Sequence, residues 1–192
     1  MNKQAEIVKK LTDRELLLNL YVTQLVFLVI ALLLSWWWFG SVFAFTQFIE
    51  FRYDHLLIGL GFGLSIVLIE IVLYKLLPEK WFDDGGINKR VFSNRHPLHI
   101  LFISIIVAVS EEVMFRGVIQ SQFGIWIASI TFALIHFRYL SNLFLFSFTV
   151  FLSFSLGLLF LYTENLLTVI TAHVVIDFLL GLLLRYDSDK SQ

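Results

Sequence analysis

The stretch that decides the fold is residues 98–121, LHILFISIIVAVSEEVMFRGVIQS. Its apolar run is long enough to cross the ~30 Å hydrocarbon core of a membrane, which takes about 17–25 helical residues. Two carboxylates and a guanidinium, those of Glu111, Glu112 and Arg116, interrupt this run. A charged side chain at the centre of a bilayer costs about 2.5–3.5 kcal/mol. We therefore expect these groups to face the interior of a helix bundle.

Two further apolar stretches carry ionisable groups in the same way. His136 ends the run WIASITFALIH, and His173 and Asp177 lie in the run LLTVITAHVVIDFLLGLLL. Six costly groups on three segments are best explained if they meet each other inside the bundle. An intramembrane cluster of carboxylates and imidazoles is a candidate reaction centre.

The composition of the whole chain supports the membrane class. Of its 192 residues, 58% are hydrophobic, against roughly 45–50% in soluble domains. The net charge of -1 gives no reason to expect a nucleic-acid partner. The sequence contains no cysteine, so a thiol nucleophile and thiolate metal ligands are excluded.

The apolar runs predict an all-α, polytopic membrane helix bundle of about six transmembrane helices. Thr12 and Glu15 fit a capping box at the start of the first span, and Asn165 fits the N-cap of the last. We expect one domain overall, in which residues 1–97 supply N-terminal transmembrane helices and a loop, and residues 98–185 form the core that carries the motifs. The predicted spans are 13–39, 55–77, 98–121, 124–139, 142–162 and 165–185.

The loops predict an orientation. Lys and Arg residues precede the first span, flank the loop 78–97 and follow the last span, whereas the opposite side has few of them. Cytoplasmic loops are enriched in Lys and Arg, so both termini and this loop are expected in the cytoplasm. The expected localisation is a multi-pass position in the bacterial cell membrane.

Three glycines in the second span, in the sequence GLGFG, resemble a nucleotide loop only superficially. No strand precedes them, and Gly59 and Gly63 have the spacing of a small-xxx-small contact between membrane helices. We expect them to pack against another helix.

The spacing of the ionisable residues predicts that they lie at one depth. Glu111 and His136 are each about a dozen residues from an expected turn near 122–124. In an antiparallel helix pair this places both roughly 18 Å from the turn, and His173 lies eight residues into the last span, at a similar level. Three pairs share a helix face through i,i+4 spacing: Glu112 with Arg116, Phe132 with His136, and His173 with Asp177.

These motifs, in this order, resemble the CAAX-processing and bacteriocin-processing (CPBP or Abi) family of intramembrane proteases, with proteins like CAAX prenyl protease 2 and lysostaphin resistance protein A. EExxxR matches residues 111–116, FxxxH matches 132–136, and HxxxN or HxxxD matches 173–177. The resemblance covers about 98–184 and implies that Glu111 activates water with the help of His136. It also implies that His173 and Asp177 stabilise the oxyanion of the tetrahedral intermediate.

The family pattern and the residue chemistry leave the role of position 177 open. Relatives with Asn there can donate a hydrogen bond, whereas Asp177 cannot donate unless it is protonated. Asp177 is therefore expected to orient His173, to take part in catalysis or to help bind a metal. Glu112 and Arg116 are expected to neutralise one another as structural support, and Phe132 is expected to form a wall beside His136.

A zinc site is the alternative to metal-free chemistry. Glu111, His136, His173 and Asp177 together offer two imidazoles and carboxylates, which is a zinc-type ligand set. The chain has no HExxH motif and no thiolates, so the sequence favours water activated by a glutamate without a required cofactor, with zinc kept as the alternative.

The expected function is an intramembrane endopeptidase that hydrolyses peptide bonds of membrane-associated or lipidated peptides. Its partners would be a membrane peptide or protein substrate and the lipid bilayer. One alternative is a non-catalytic immunity or regulatory protein that retains the protease fold, and another is a small transporter whose Glu and His residues relay protons. Intact Glu111, His136 and His173 argue against the scaffold, and the lack of inverted repeats argues against the transporter.

Overall fold

The computed structural model describes residues 11–190, and side chains as far as residue 186. Within that part of the chain every regular element is helical, and no strand is present. The helices are α1 (Asp13–Phe39), α2 (Tyr53–Leu76), α3 (Ile87–Phe92), α4 (Pro97–Glu112), α5 (Ser121–Ile135), α6 (Leu143–Thr163) and α7 (Leu166–Lys190), and a π-helical segment, Val113–Gln120, joins α4 to α5.

The predicted all-α, polytopic membrane bundle is confirmed. Five helical stretches are long and apolar enough to cross a membrane: Asp13–Phe39, Tyr53–Leu76, Pro97–Ile135, Leu143–Thr163 and Leu166–Tyr186. Two predicted helix caps are also present. Thr12 and Glu15 form the capping box of α1, and the Asn165 side chain accepts a hydrogen bond from the backbone N–H of Leu167 at 2.9 Å.

The predicted third and fourth spans form a hairpin within the 39-residue stretch Pro97–Ile135. Gly124 has φ 80° and ψ 173°, a backbone conformation that breaks the helix and favours glycine. The rings of Phe115 and Phe132 are 5.0 Å apart, although a straight helix would separate these positions by about 25 Å. The chain therefore turns back at Gly124, as the sequence predicts.

The returning arm of this hairpin is shorter than the predicted fourth span. Between Gly124 and its end at Ile135, α5 rises about 16 Å, which is roughly half of the hydrocarbon core. His136 follows the last helical residue and has non-helical dihedrals, and a 3₁₀ turn, Phe137–Ser141, continues the chain. His136 consequently lies at a helix end, where its ring is less restricted by the helix surface.

The π-helical segment starts directly after the paired glutamates. All eight of its residues are buried, including Arg116 and Gln120. Gly117 allows a close approach, because a Cβ atom there would lie 3.0 Å from Phe45 Cβ and 3.1 Å from Leu166 Cδ1. Single π-helical turns are frequent at functional sites. The sequence pattern predicts an ordinary α-helix here, so the wider helix is a feature that only the structure reveals.

The glycines of α2 pack against α7, as predicted. A Cβ atom at Gly59 would lie 2.4 Å from the carbonyl oxygen of Thr168, and one at Gly63 would lie 2.7 Å from that of Ala172. Gly61 has no neighbour within 4 Å of that position. The two helices therefore run side by side at backbone contact, in the manner of small-xxx-small packing.

Polar contacts at the helix ends divide the molecule into two faces. On one face, Arg90 of α3 pairs with Asp13 at the start of α1 at 2.8 Å, and Asn142 before α6 donates to the carbonyl of Trp81 at 3.0 Å. On the other face, Asn165 before α7 donates to the carbonyl of Glu50 at 2.7 Å. The start of α1 and the loop before α4 therefore lie on the same face.

Candidate active site

Glu112 lies at the centre of the polar cluster and joins three helical segments. Its side chain is fully buried. One carboxylate oxygen, Oε1, accepts a hydrogen bond from Nδ1 of His173 on α7 at 2.7 Å. The other, Oε2, lies 3.1 Å from Nε of Arg116. Glu112 thus pairs with Arg116, as predicted, and also supports the imidazole of His173. The contact with His173 is not predicted from the sequence.

Arg116 holds the hairpin against α6. Its Nη2 donates to the carbonyl oxygen and the hydroxyl of Ser153 at 2.9 and 3.2 Å. Its guanidinium carbon lies 5.1 Å from the ring centroid of Phe132, within cation–π range. One turn further, Gln120 donates to the carbonyl of Gly157 at 2.8 Å. The buried charge is therefore enclosed by an ion pair, hydrogen bonds and an aromatic face.

Glu111 differs from its neighbour because no cation of the described residues lies within ion-pair distance of its carboxylate. It is 5% exposed, and no ion pair found among residues 11–186 includes it. Among the described residues its one hydrogen bond comes from Nε2 of Gln24 on α1, at 3.2 Å. The charged groups that interact with it electrostatically are His173, Asp177, Glu112 and Arg116. A buried carboxylate that forms no direct ion pair is available to accept a proton.

His136 lies between two aromatic rings. The Phe132 ring centroid is 4.7 Å away and that of Tyr139 is 5.9 Å away. Its Nδ1 lies 2.8 Å from the carbonyl oxygen of Phe132. A carbonyl can only accept, so Nδ1 carries the hydrogen, and in the neutral ring Nε2 is left as an acceptor. The predicted position of Phe132 beside His136 is observed.

Asp177 is more loosely placed than the other site residues. Its Oδ2 lies 3.6 Å from Nε2 of His173, which is beyond hydrogen-bond distance. Its electrostatic neighbours also include Glu112 and Arg138. The guanidinium of Arg138 packs over the ring of Tyr139 at 4.6 Å and donates to Asn88 at 3.0 Å. Asp177 therefore lies near the imidazole of His173 and interacts with the guanidinium of Arg138.

The structure brings together most, but not all, of the predicted residues. Glu112, His173 and Asp177 form one connected group, and Glu111 interacts with it electrostatically. The hairpin register places Arg116 opposite Phe132, each eight residues from Gly124, whereas the predicted equal depth of Glu111 and His136 stays a prediction. His136 interacts electrostatically with His173, but no hydrogen bond between the described residues joins it to Glu111.

The zinc alternative stays a prediction. Among the residues that the structure describes, no three His, Asp or Glu side chains converge closely enough to hold a metal ion. Nδ1 of His173 is bonded to Glu112 and Nδ1 of His136 to a carbonyl, so each ring has Nε2 left as its one possible metal ligand.

Two polar groups near the site lie outside the predicted set. Gln24 sits in the apolar run of α1, and Glu70 sits in that of α2, where it interacts electrostatically with Asp177. Glu70 is an ionisable residue within an apolar span, like the other six residues. The same criterion could therefore have selected it from the sequence. Gln24 has a weaker signal, since a neutral polar residue in a membrane helix commonly links helices.

Comparisons with known proteins identify the family of the segment that contains these residues. Residues 93–179 match the model of a family described as type II CAAX prenyl endopeptidase Rce1-like. The matched segment contains all seven predicted site residues and excludes α1 and α2. The chain is also 41% identical over 129 residues to an uncharacterized protein, YpbD of Bacillus subtilis (strain 168), covering 67% of this chain and 68% of that protein. No solved structure matches significantly.

The motif order, the helical fold and these matches agree, and the resemblance to CAAX-processing proteases is confirmed. The five apolar helices make the protein an integral membrane protein. The chain belongs to the Rce1-like family of membrane-embedded proteases.

Proposed function

We propose that this protein is an intramembrane endopeptidase that hydrolyses peptide bonds of membrane-associated or lipidated peptides with water activated by Glu111. The observation that carries the proposal is the contrast between the two adjacent glutamates. Glu112 is committed to Arg116 and His173, whereas Glu111 is buried with one amide partner. An unpaired carboxylate inside a membrane bundle is costly, which favours a functional reason for it.

The chemistry begins with proton transfer from water. His136 accepts a hydrogen bond from the water through Nε2 and so orients it, and Glu111 takes the other proton. The water oxygen forms a bond to the carbonyl carbon of the substrate, and the carbonyl oxygen becomes an oxyanion. The tetrahedral intermediate then breaks its C–N bond, and the proton on Glu111 passes to the departing amine. Glu111 is again a carboxylate, and one water molecule has been consumed.

His173 is the proposed donor to the oxyanion. Its Nδ1 hydrogen is used by Glu112, so donation to substrate requires a second hydrogen on Nε2. The resulting imidazolium is flanked by the carboxylates of Glu112 and Asp177. Because Asp177 lies 3.6 Å away, the Nε2–H is not tied up in a short hydrogen bond and remains available. This arrangement gives Asp177 an orienting and charge-balancing role.

The proposed substrate follows from the surroundings of the site. The site lies within apolar helices, so a peptide must present its scissile bond at or within the membrane. The family name refers to prenylated substrates, and lipidated peptides are therefore included in the proposed class. We also propose that the face bearing Asp13 and Arg90 is cytoplasmic, because the loop 78–97 on that face is rich in Lys and Arg.

The test is cleavage of a membrane-peptide library by purified protein in lipid nanodiscs, with products identified by mass spectrometry. We expect the wild type to cut a subset of peptides, with and without a chelator. Glu111→Ala and His136→Ala should lower the rate by at least about 10²–10³ while the protein still accumulates in the membrane. Full activity of Glu111→Ala would overturn the mechanism, and inactivity of the wild type on all peptides would favour a non-catalytic immunity or regulatory role.

A further inference from the structure

Helix α1 presents one buried polar side chain to the active-site hairpin. Its buried residues are Leu16, Gln24, Ala31 and Ser35. Ser35 bonds to the nearby carbonyl of Ser41 and so closes the local turn. Gln24 instead lies against α4, in a cavity of about 480 Å³ whose walls are largely apolar and include Tyr21 and Phe102. Its amide is therefore directed at the site by the packing of α1.

The amide of Gln24 links two residues of α4. Its Oε1 lies 2.6 Å from Oγ of Ser110, and its Nε2 lies 3.2 Å from Oε1 of Glu111. The Ser110 hydroxyl also lies 2.7 Å from the carbonyl oxygen of Ile106. The hydroxyl has one hydrogen and three acceptors within reach, the third being the carbonyl oxygen of Val107 at 3.1 Å, so it can donate to only one of them at a time.

These contacts allow two hydrogen-bond arrangements, one for each protonation state of Glu111. When Glu111 is ionised, Nε2 of Gln24 donates to the carboxylate and Oε1 accepts from the Ser110 hydroxyl. When Glu111 is protonated, a flipped amide accepts the carboxyl hydrogen with Oε1 and donates through Nε2 to Ser110, whose hydrogen then turns to Ile106. In both arrangements Glu111 and Ser110 each keep a hydrogen-bond partner on the amide, which matters at a buried site.

We propose that Gln24 is a positioning residue for Glu111 that holds its carboxyl group in both protonation states through an amide flip coupled to Ser110. A general base that takes a proton from water and returns it to the amine must be held in both forms. A fixed cation would favour only the ionised form, and an apolar contact would support neither. The inference rests on the proposed function and extends it to α1, which lies outside the segment that matches the family model.

The kinetic test uses Gln24→Met, which keeps the length and apolar packing of the side chain but removes the amide. On a peptide that the wild type cleaves, we expect kcat to fall about tenfold to a hundredfold, the range for one hydrogen bond to a charged group. KM should change by less than roughly twofold, because the amide does not hold substrate. Gln24→Asn should lose as much, since its shorter side chain cannot span Ser110 and Glu111.

Two further variants complete the kinetic test. One ranks the loss of kcat against that of Gln24→Met, and the other is the matched control. Ser110→Ala removes the outer partner of the amide but leaves its bond to Glu111, so it should lose less than Gln24→Met. Thr23→Val is the matched control, because Thr23 is an exposed polar residue on the same helix whose hydroxyl bonds to its own helix at Asn19. It should retain wild-type kcat. A Gln24→Met protein that accumulates normally and keeps wild-type kcat would overturn the proposal.

An infrared measurement tests the hydrogen bond without substrate. The carboxyl stretch of protonated Glu111 is assigned by its loss in Glu111→Gln. In Gln24→Met this band should move to higher frequency, because the protonated carboxyl loses its acceptor, and in Thr23→Val it should stay in place. An unchanged band in Gln24→Met contradicts the proposal. If the wild type cleaves nothing, the proposed function fails, and the infrared band alone still decides whether Gln24 holds Glu111.

Discussion

The hairpin Pro97–Ile135 and the helix α1 are both apolar enough to cross a membrane, yet they differ in burial and in the charged residues that they carry. In the hairpin, 56% of the most apolar window is buried, against 17% in α1. The hairpin carries Glu111, Glu112 and Arg116, all buried, whereas α1 has no charged residue between its first turns and its end. Burial inside the bundle is therefore what makes charge tolerable in this protein.

The comparison has one informative exception. Gln24 is a buried polar residue of the otherwise lipid-facing α1, and it contacts Glu111, the hairpin carboxylate that forms no direct ion pair with the described residues. The outer helix is thus polar where it meets Glu111. A helix that served only as a lipid-facing cover would have no need for an amide at that position.

The largest effect is expected from breaking the buried ion pair. Arg116→Ala should lower the free energy of unfolding in detergent micelles by about 3–5 kcal/mol, because Glu112 would remain buried without its partner. Thermal unfolding and the yield of monodisperse protein measure this. The matched control is Arg52→Ala, which removes an exposed ion pair with Asp54 and should change stability little. Equal losses in the two variants would contradict the distinction between the buried and exposed regions.

The next effect separates the two carboxylates that face His173. Glu112→Gln keeps the shape of the side chain but weakens the 2.7 Å bond to His173, so the cleavage rate per folded protein should fall about 10–100-fold. Asp177→Asn should retain substantial activity, since its carboxylate lies at 3.6 Å. Rates on the same peptide, with and without a chelator, measure both. If Asp177 were a metal ligand, Asp177→Asn would be inactive and the chelator would silence the wild type.

Much of this architecture is readable from the sequence, for identifiable reasons. Apolar run lengths define the spans, and the turn expected near 122–124 is found at Gly124. The motif spacing correctly pairs Glu112 with Arg116 on one helix face. These features depend on the number of residues within one helix or across one short turn. That number can be counted directly in the sequence.

The contacts that the sequence does not reveal join distant positions. Gln24 meets Glu111 across 87 positions, and Glu112 meets His173 across 61. Spacing cannot say which helices become neighbours, and it cannot show that the helix widens over Val113–Gln120. The early end of α5 could not be predicted either, because the apolar pattern continues past Ile135 into a 3₁₀ turn. Tertiary packing decides each of these features.

A smaller effect is expected where an outer helix meets the core. Gly59→Ala would place a Cβ 2.4 Å from the carbonyl oxygen of Thr168, so α2 must move away from α7. We expect a loss of about 1–3 kcal/mol in the free energy of unfolding, the usual cost of overpacking. Gly61→Ala is the control two residues away, with no atom within 4 Å. A destabilised Gly61→Ala or an unaffected Gly59→Ala would show that the α2–α7 contact is not formed as described.

The smallest perturbation tests which face of the bundle is cytoplasmic, through single cysteines in this cysteine-free chain. The start of α1 is tied to α3 by Asp13 and Arg90, so Ser93, just after α3, reports on that face. Ser188, in the last turn of α7, is expected on the same face, and Ser41, after the end of α1, on the other. A membrane-impermeant maleimide on intact cells should therefore label Ser41→Cys but leave Ser93→Cys and Ser188→Cys unlabelled until the cells are opened.

The reverse pattern would invert the orientation and keep the fold, because Lys and Arg enrichment alone supports the cytoplasmic assignment. Labelling of Ser93→Cys without Ser188→Cys would contradict the fold itself, since an odd number of crossings would then separate two positions that the helix order places together.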